Sequence, residues 1–413
     1  MSPRTMSRFI IIGAGPAGMR AAEMLRSQSA EAEIILIGDE PYPPYDRPPL
    51  SKAFITNGVA PASLSLKPES FYAEQRIELK LGHAALAIDR GAKRVALAGG
   101  AHVAYDKLLL ATGCGSRRLP PSLAPPSVHY LRSLEDAARI RAALAPGISL
   151  VLIGGGFIGL ELAASATKLG VEVTVLEAMP RLLTRGLPAP VCDFVHRLHE
   201  SHGVRFELDA RLRSIAGEAG DFVVSTERQT YRCGIVVAGI GSVPHTRLAE
   251  AAGLAVEDGI RVDASGRTGD AHIFAAGDAT RHDNPLLGRA IRVESWQVAL
   301  NQAAVVARAM LGGSDVYAEM PWLWTDQYDC NIQVLGCFDP SLELLLRGDA
   351  ASGAFTLLGL GAGGRITLAV TVNNGRDMAV LRRLVTSKAS PPKDALADPT
   401  RKLADLLKAA RAS

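Results

Sequence analysis

The stretch IIGAGPAG, Ile11–Gly18, decides the fold of this 413-residue chain. It joins an apolar strand to a helix through Gly13, Gly15 and Gly18, which have the spacing G-x-G-x-x-G. In a dinucleotide-binding βαβ unit the first glycine makes a tight turn, the second admits a pyrophosphate, and the third lets the helix pack closely on the strand. A second apolar strand, EIILIGD at Glu33–Asp39, follows the helix and ends in an acid. We therefore predict a nucleotide-binding βαβ unit near the N-terminus.

The same pattern occurs a second time, as IGGGFIG followed by the strand VEVTVLE that ends at Glu177. Its glycines are Gly154, Gly156 and Gly159. An acid at the position of Glu177 hydrogen-bonds an adenosine ribose and repels a 2'-phosphate, which favours NAD over NADP. Arg181 and Arg185 follow closely in the sequence and leave the choice of cofactor open. Two dinucleotide sites in one chain indicate electron transfer between two cofactors, for which FAD and a nicotinamide are the usual pair.

Composition excludes several other classes of protein. The chain has 45 Lys and Arg against 42 Asp and Glu, a formal charge of +3, so we expect no nucleic-acid partner. No run of eighteen apolar residues and no secretory leader is found, so we expect no membrane span and a cytoplasmic location. The five cysteines are scattered and form no C-x-x-C, so we expect no metal site.

Further strands that end in glycine indicate how the domains are arranged. They are KLLLATG at Lys107–Gly113, GIVVAGIG at Gly234–Gly241 and HIFAAGD at His272–Asp278. After Glu319 the apolar residues alternate with polar ones, which is typical of an antiparallel sheet. We predict an α/β protein with two Rossmann-like dinucleotide-binding domains and a C-terminal α+β domain. The predicted parts are an FAD-binding domain split into 1–112 and 245–318, an NAD-binding domain at 113–244 and a C-terminal domain at 319–413.

Together these motifs resemble a known family. GAGPAG, the ATG at Ala111–Gly113, GGGFIGLE and IFAAGD resemble the flavoprotein pyridine-nucleotide reductases of the glutathione reductase fold. Within that group, four longer segments resemble the FAD-dependent ferredoxin reductases of bacterial oxygenase systems, of the putidaredoxin reductase and biphenyl dioxygenase reductase type. They are YDRPPLSK at Tyr45–Lys52, HYLRSLEDA at His129–Ala137, IRVESWQVA at Ile291–Ala299 and PWLWTDQYD at Pro321–Asp329.

The resemblance implies roles for individual residues. Lys52 and Arg47 would line the flavin pocket, Glu161 would lie near the nicotinamide and pair with Lys52, and Asp278 would approach the ribityl-phosphate region of FAD. Acids are also favoured at the start of a helix by its dipole, which is a second reading of Glu161. Trp324 would cover the flavin near the electron exit or pack as a core aromatic, and the sequence leaves both roles open. Other positions implied around FAD are Ala17, Asp39, Ala85, Arg132 and Trp296. Further expected cofactor-binding positions are Thr112, Gly113, Phe157, Ile158 and Gly241.

The resemblance also implies an activity. NADH would pass a hydride to FAD, and two single-electron transfers would reduce a 2Fe-2S or Rieske ferredoxin that feeds an aromatic-ring dioxygenase or a cytochrome-type monooxygenase. Disulfide reductases of this fold need a cysteine pair beside the flavin, and YDRPPLSK has none, so the electrons should leave for an external carrier. Arg289, Arg292 and Arg308 are candidates to steer an acidic ferredoxin. The alternatives are an NADH oxidase and a flavoprotein similar to apoptosis-inducing factor.

Overall fold

A computed structural model of the chain describes residues 7–387 and 389–412. Two compact units are found. Unit 1 comprises Met1–Asp46, Pro61–Gly115 and Val243–Pro321, and unit 2 comprises Arg47–Ala60, Ser116–Ser242 and Trp322–Ser413. The predicted α/β class with an antiparallel C-terminal sheet is confirmed. The boundaries predicted for the cofactor-binding domains stay predictions, because the units are defined by contacts within the chain.

Unit 1 is built on a five-stranded parallel sheet. Its strands in spatial order are β18 (Ile273–Ala275), β7 (Lys107–Leu110), β1 (Arg8–Ile12), β2 (Glu33–Ile37) and β3 (Ile77–Lys80). Four of the five residues in β1 and in β2 are buried, as expected for parallel strands covered on both faces. Helices α1 (Pro16–Gln28) and α8 (Trp296–Met310) pack on one face and share a core of small apolar residues.

Smaller elements complete unit 1. They are α3 (Glu69–Glu74), α7 (Arg247–Ala251), the antiparallel strands β4 (Ala85–Asp89), β5 (Arg94–Leu97) and β6 (His102–Ala104), and the three-stranded sheet of β17 (Ile260–Val262), β19 (Thr280–Asn284) and β20 (Arg289–Ile291). The antiparallel strands lie over the second face of the parallel sheet, where Ile88 and Val95 join Ile10 and Leu108 in a second core.

The part of unit 2 that contains the second glycine turn repeats the strand, turn and helix order of unit 1. Its parallel sheet has the order β11 (Arg205–Glu207), β10 (Glu172–Leu176), β9 (Ser149–Ile153) and β15 (Ile235–Ala238). The helices are α2 (Ala53–Asn57), α4 (Leu134–Ala143), α5 (Phe157–Lys168) and α6 (Ala189–Ser201). A separate antiparallel sheet contains β12 (Leu212–Glu218), β13 (Asp221–Thr226) and β14 (Thr230–Cys233). The chain passes between the units within β8 (Cys114–Ser116) and β16 (Ser242–Pro244), and also after Asp46, Ala60 and Pro321.

The C-terminal part of unit 2 is a five-stranded antiparallel sheet, as the alternating pattern predicted. Its order is β21 (Trp322–Gln327), β22 (Cys330–Gly336), β25 (Ile366–Val372), β24 (Ala354–Leu360) and β23 (Glu343–Asp349). Helices α9 (Gly375–Thr386), α10 (Lys393–Ala397) and α11 (Leu403–Ala412) follow. One core joins this sheet to α5 and α6. None of the helices in the part of the chain that the structure describes is both long and apolar enough to cross a membrane.

Candidate functional site

The first glycine turn lies between β1 and α1 in unit 1. Gly13 has a φ of 117°, and a Cβ added there would lie 2.1 Å from the carbonyl oxygen of Ala111. A Cβ on Gly18 would lie 1.9 Å from the oxygen of Gly13. Gly15 is different, because a Cβ there would meet no atom of the described residues within 4 Å. The turn is therefore closed towards the sheet and open at Gly15, where a pyrophosphate is expected to approach the start of α1.

The second glycine turn, between β9 and α5 in unit 2, has the same construction. A Cβ on Gly154, whose φ is 105°, would lie 2.5 Å from the oxygen of Gly239, and one on Gly159 would lie 2.7 Å from the oxygen of Gly154. At Gly156 the nearest atom of the described chain would be 3.9 Å away. Both turns thus fit a dinucleotide by the same test, which is an open glycine at the beginning of a helix.

Glu177 follows β10 and folds back onto the second turn. Its Oε2 accepts a hydrogen bond of 2.6 Å from the backbone N–H of Gly155, and its Oε1 accepts one of 2.9 Å from Met179. Two backbone donors therefore fix the carboxylate at the place where the ribose of a bound dinucleotide is expected. Of the two arginines that left the cofactor choice open, Arg181 pairs with Asp193 at 3.0 Å.

Arg185, the second of these arginines, lies beside Gly241 in unit 2. Gly241 has a φ of 115°, and a Cβ there would lie 3.7 Å from the guanidinium group of Arg185. Phe157 and Ile158 form the first turn of α5, where Ile158 is 46% exposed. The predicted nicotinamide-cofactor residues are thus distributed over the turn, the helix start and the ends of β10 and β15, which flank β9.

Several predicted FAD positions in unit 1 converge on the start of α1. Gly277 has a φ of 81°, and its added Cβ would lie 3.1 Å from the Cβ of Ala17, which places the next residue, Asp278, at this helix end. The thiol of Cys114 lies 3.5 Å from Oδ2 of Asp278. Thr112 is next to the first turn as well, since its backbone nitrogen would be 3.2 Å from a Cβ on Gly13.

Three further predicted FAD positions in unit 1 lie at the edges of this group. Asp39 is exposed and follows Gly38, whose added Cβ would lie 2.6 Å from the Cβ of Ala14 in the turn. Gly113 accepts a backbone hydrogen bond of 2.9 Å from His245. Ala85 begins β4, two residues after His83, which donates a backbone hydrogen bond of 2.9 Å to Gly38.

Trp296 begins α8, and its indole Nε1 donates a hydrogen bond of 2.9 Å to the carboxylate of Asp46 in the same unit. Sequence reasoning did not single out Asp46, although it lies within the YDRPPLSK segment. In unit 2, Nη1 of Arg47 donates to the backbone oxygen of Arg132 at 2.9 Å. These contacts bring together predicted positions that are far apart in sequence.

Lys52 and Glu161 form an ion pair in unit 2, with Nζ 3.0 Å from Oε1. Glu161 is almost fully buried in α5 and also accepts hydrogen bonds from Ser51 at 2.5 Å and from Thr325 at 2.6 Å. A second carboxylate, that of Asp326, lies 3.7 Å from Nζ of Lys52. The structure confirms that Lys52 and Glu161 pair. Ser51, Thr325 and Asp326 were missed, because no local motif marks contacts between residues this far apart in the chain.

Trp324 lies on β21 next to Trp322, and their ring centroids are 5.2 Å apart in a stacked arrangement. The guanidinium of Arg382 lies 4.4 Å from the centroid of Trp322. Trp324 is half-buried and faces away from Thr325, its buried neighbour on the strand. The proposed contact of Trp324 with the flavin stays a prediction.

No disulfide joins the five cysteines in the part of the chain that the structure describes. Burial raises the pKa of Cys192, Cys233 and Cys330 to about 11 each. These thiols are protonated at neutral pH, and a protonated buried thiol is a poor nucleophile and redox group. Cys192, Cys233 and Cys330 therefore behave as packed core residues rather than as redox groups.

Comparison with known proteins agrees with the family resemblance of the sequence motifs. Residues 7–303 match the family model described as pyridine nucleotide-disulphide oxidoreductase, and residues 322–407 match the one described as reductase C-terminal. The chain is 49% identical over 394 residues to the ferredoxin–NAD(+) reductase component of an anthranilate 1,2-dioxygenase system from Burkholderia cepacia, covering 95% of this chain and 97% of that one. It is 38% identical over 383 residues to rhodocoxin reductase from Rhodococcus erythropolis, covering 92% and 90% of the two chains.

A solved structure of the covalent putidaredoxin reductase–putidaredoxin complex is also similar. It matches with a TM-score of 0.94 and 34% identity, covering 98% of this chain and 99% of that one. Relatives and family models thus span both units, and the two open glycine turns fit the FAD and NAD(H) that this family uses. The chain therefore belongs to the pyridine nucleotide-disulphide oxidoreductase family, as an NAD-dependent flavoprotein of the ferredoxin reductase type.

Proposed function

We propose that this protein is the NADH-dependent ferredoxin reductase of an oxygenase system. The observation that carries the proposal is the pair of similarly built glycine turns, one in each unit, each open at a single glycine. One turn would hold FAD permanently, and the other would bind NADH in each catalytic cycle. When bound, FAD accepts a hydride from NADH and releases electrons singly to an iron–sulfur partner.

The turn in unit 1 is the proposed FAD site. The helix start offers backbone N–H groups to the pyrophosphate, and Gly15 leaves room for it. Asp278 and Thr112 border the same turn, and Trp296 is anchored by Asp46 at the start of α8. These groups bind and orient the cofactor, and the apolar core beneath the turn keeps their backbone in place.

The turn in unit 2 is the proposed NADH site. Glu177 is held by two backbone N–H groups, so its carboxylate is in place before the dinucleotide binds. A fixed carboxylate accepts hydrogen bonds from ribose hydroxyls and repels a 2'-phosphate, which supports a preference for NADH over NADPH. The pairing of Arg181 with Asp193 further reduces the positive charge available to a 2'-phosphate.

Lys52 is the residue proposed to stabilise negative charge on the reduced flavin. A fixed cation beside the isoalloxazine stabilises the negative charge that arrives with the electrons. The ion pair with Glu161 holds the ammonium group in one position, and Asp326 adds a second carboxylate nearby. Glu161 is in turn oriented by the hydroxyls of Ser51 and Thr325.

We propose a 2Fe-2S or Rieske ferredoxin as the electron acceptor. Support comes from the buried, protonated thiols, which offer no internal acceptor among Cys192, Cys233 and Cys330. It also comes from the relatives, one named for a dioxygenase system and one solved in complex with putidaredoxin. The terminal enzyme in this proposal is an aromatic-ring dioxygenase or a cytochrome-type monooxygenase, and the location is cytoplasmic.

The arginines suggested for steering the ferredoxin differ in the charge they offer. Arg292 is largely buried and pairs with Asp258 at 3.1 Å and with Glu294, while Arg308 pairs with Asp315 at 2.5 Å. Their charges are therefore compensated locally, and the electrostatic field expected from them is weak. Arg289 on β20 is exposed and is the better candidate of the three.

Stopped-flow mixing with NADH tests the first half of the proposal. The purified, FAD-loaded protein should lose its flavin absorbance when NADH is added without oxygen, and NADPH should act much more slowly. Cytochrome c reduction with a panel of Rieske and plant-type ferredoxins then tests the second half. Rapid turnover with one ferredoxin and slow oxygen consumption without it are the expected results.

Two results would contradict the proposal. If NADH did not bleach the flavin, the protein would not be an NADH-dependent reductase. Rapid oxygen consumption with no response to any ferredoxin would instead support an NADH oxidase, the alternative that the same fold allows.

A further inference from the structure

A row of buried polar side chains continues from Glu161 into the interior of unit 2. Thr325 donates to Oε1 of Glu161 at 2.6 Å, and Nε2 of Gln327 donates to the hydroxyl of Thr325 at 2.8 Å. Nε2 of His199, on α6, lies 2.9 Å from Oε1 of Gln327. All four side chains are buried, with Thr325, Gln327 and His199 at 0% exposure. We call His199, Gln327, Thr325 and Glu161 the buried relay.

The charge of Glu161 sets the direction of every hydrogen bond in the buried relay. A carboxylate paired with Lys52 can only accept, so the single hydroxyl proton of Thr325 points to it. The oxygen of Thr325 must then accept from Gln327, which places the amide NH₂ towards Thr325 and the amide oxygen towards His199. His199 therefore has to carry a proton on Nε2.

The surroundings of His199 agree with this assignment. Burial lowers the pKa of His199 to about 4, so the ring is neutral at pH 7 and its Nδ1 is an acceptor. The hydroxyl of Tyr328 lies 3.4 Å from Nδ1 and 3.3 Å from the hydroxyl oxygen of Thr167, which donates to the backbone oxygen of Ala164 at 3.0 Å. His202 stacks on the ring of Tyr328 with centroids 3.6 Å apart. The hydroxyl proton of Tyr328 can therefore point to the acceptor Nδ1, which agrees with a proton on Nε2 of His199.

Such an arrangement is costly to maintain in a protein interior. Each buried polar group requires a partner, and breaking one link leaves its neighbours unsatisfied. On β21, Thr325 and Gln327 occupy two consecutive inward positions, where apolar side chains would pack without this requirement. The end of the buried relay at the Lys52–Glu161 pair indicates what it serves.

We propose that the buried relay positions Glu161, aiming its carboxylate at the ammonium group of Lys52. Thr325, Gln327 and His199 are then positioning residues for Lys52, and the tautomer of His199 depends on the charge of Glu161 through two intervening side chains. The inference rests on the proposed function in one respect, which is that Lys52 lies beside the flavin.

The variant Thr325→Val breaks the buried relay with little change in volume. Thr371→Val is the matched control, because Thr371 is also fully buried in the C-terminal sheet and its hydroxyl has no hydrogen-bond partner among the described residues. In the FAD-loaded protein, Thr325→Val should slow flavin reduction at saturating NADH about tenfold, the scale of a lost hydrogen bond to a charged group. KM for NADH should stay unchanged, Thr325→Ser should restore the rate, and Thr371→Val should leave it unaltered.

A second readout does not depend on turnover. ¹⁵N NMR of the histidine-labelled, FAD-loaded protein at pH 7, with the signal assigned by a His199→Gln variant, reports which ring nitrogen carries the proton. The parent protein should show His199 protonated on Nε2 alone. In Thr325→Val the amide of Gln327 is free to rotate and offer its NH₂ to His199, so a population protonated on Nδ1 should appear, whereas Thr371→Val should keep the parent spectrum.

The two readouts separate the possible failures. A parent spectrum with His199 protonated on Nδ1, or in a mixture of tautomers, overturns the inference without any variant. Equal losses of rate in Thr325→Val and Thr371→Val overturn it as well, because they indicate a general effect of the substitution on packing. If NADH does not reduce the flavin of the parent protein, the proposed function fails, while the histidine spectrum still decides whether the buried relay is directional.

Discussion

The two glycine turns share one backbone design and differ in the acid that follows each of them. In unit 1, Asp39 is exposed, and Gly38 is the residue that contacts the turn. In unit 2, Glu177 folds back and accepts hydrogen bonds from the backbone of Gly155 and Met179. The turn itself accommodates any pyrophosphate, whereas the fixed carboxylate distinguishes one ribose from another. The difference fits a permanently held cofactor at the first turn and a substrate that is selected in each cycle at the second.

The largest effects should come from alanine at the first glycine of each turn. Gly13→Ala combines a φ of 117° with a contact of 2.1 Å to the oxygen of Ala111, and we expect a loss of about 3–5 kcal/mol in stability together with loss of bound FAD. Gly154→Ala meets the oxygen of Gly239 at 2.5 Å, so it should lose somewhat less stability and keep its FAD while failing to respond to NADH. Denaturant unfolding and the flavin content after purification measure both effects. Retention of FAD in Gly13→Ala and its loss in Gly154→Ala would reverse the assignment of the turns.

Alanine at the open glycine of each turn should weaken cofactor binding without lowering the stability of the fold. A Cβ on Gly15 or on Gly156 meets no described atom closer than 3.9 Å, so neither substitution should change the free energy of unfolding by more than about 0.5 kcal/mol. Gly15→Ala should bind FAD about a hundredfold more weakly, because the methyl group would occupy the space that a pyrophosphate needs. Gly156→Ala should raise KM for NADH and leave FAD in place. Titration of the apoprotein with FAD and steady-state kinetics distinguish the two variants. Equal FAD affinity in both would contradict the assignment of FAD to the first turn and NADH to the second.

Removing the charge of Glu177 should change the cofactor preference at the second turn. Glu177→Gln keeps the size of the side chain and removes the repulsion of a 2'-phosphate, so kcat/KM for NADPH relative to NADH should rise about tenfold. Glu172→Gln, at the other end of β10, is the control, since Glu172 is exposed and pairs with Arg205 on the neighbouring strand. An unchanged ratio of kcat/KM for NADPH to that for NADH in Glu177→Gln would show that another residue recognises the ribose.

The smallest effect should be that of the exposed acid after the first turn. Asp39→Asn should weaken FAD binding only about threefold, because a hydrogen bond in solvent contributes little beyond what water supplies. The midpoint of FAD titration measures it. A loss as large as that of Gly15→Ala would indicate that Asp39 binds the ribose as tightly as Glu177 is expected to, and that the two turns differ less than their contacts indicate.

Local spacing explains why both turns could be predicted from the sequence. Each βαβ unit places its glycines and its acid within about thirty residues, so the pattern is readable in one window. The C-terminal antiparallel sheet was predictable for the same reason, since alternation is a property of single strands.

The polar cluster around Glu161 could be predicted only in part. The pairing of Lys52 with Glu161 followed from the family resemblance, but Ser51 and Thr325 are separated from Glu161 by 110 and 164 residues. Contacts over such distances depend on which strands and helices pack together, and a serine or threonine has no pattern that marks it as a donor to a distant acid. The inclusion of Arg47–Ala60 in unit 2 was unpredictable for the same reason.

The order in which the chain contributes to the two units has a consequence for its biosynthesis. Unit 1 needs β18, at Ile273–Ala275, to complete its parallel sheet, and α8, at Trp296–Met310, to cover it. A ribosome adding about 5–20 residues per second therefore exposes the first glycine turn for many seconds before its supporting layer exists. During that interval the nascent chain carries uncovered apolar strands, and unpaired apolar strands of this kind are prone to aggregate.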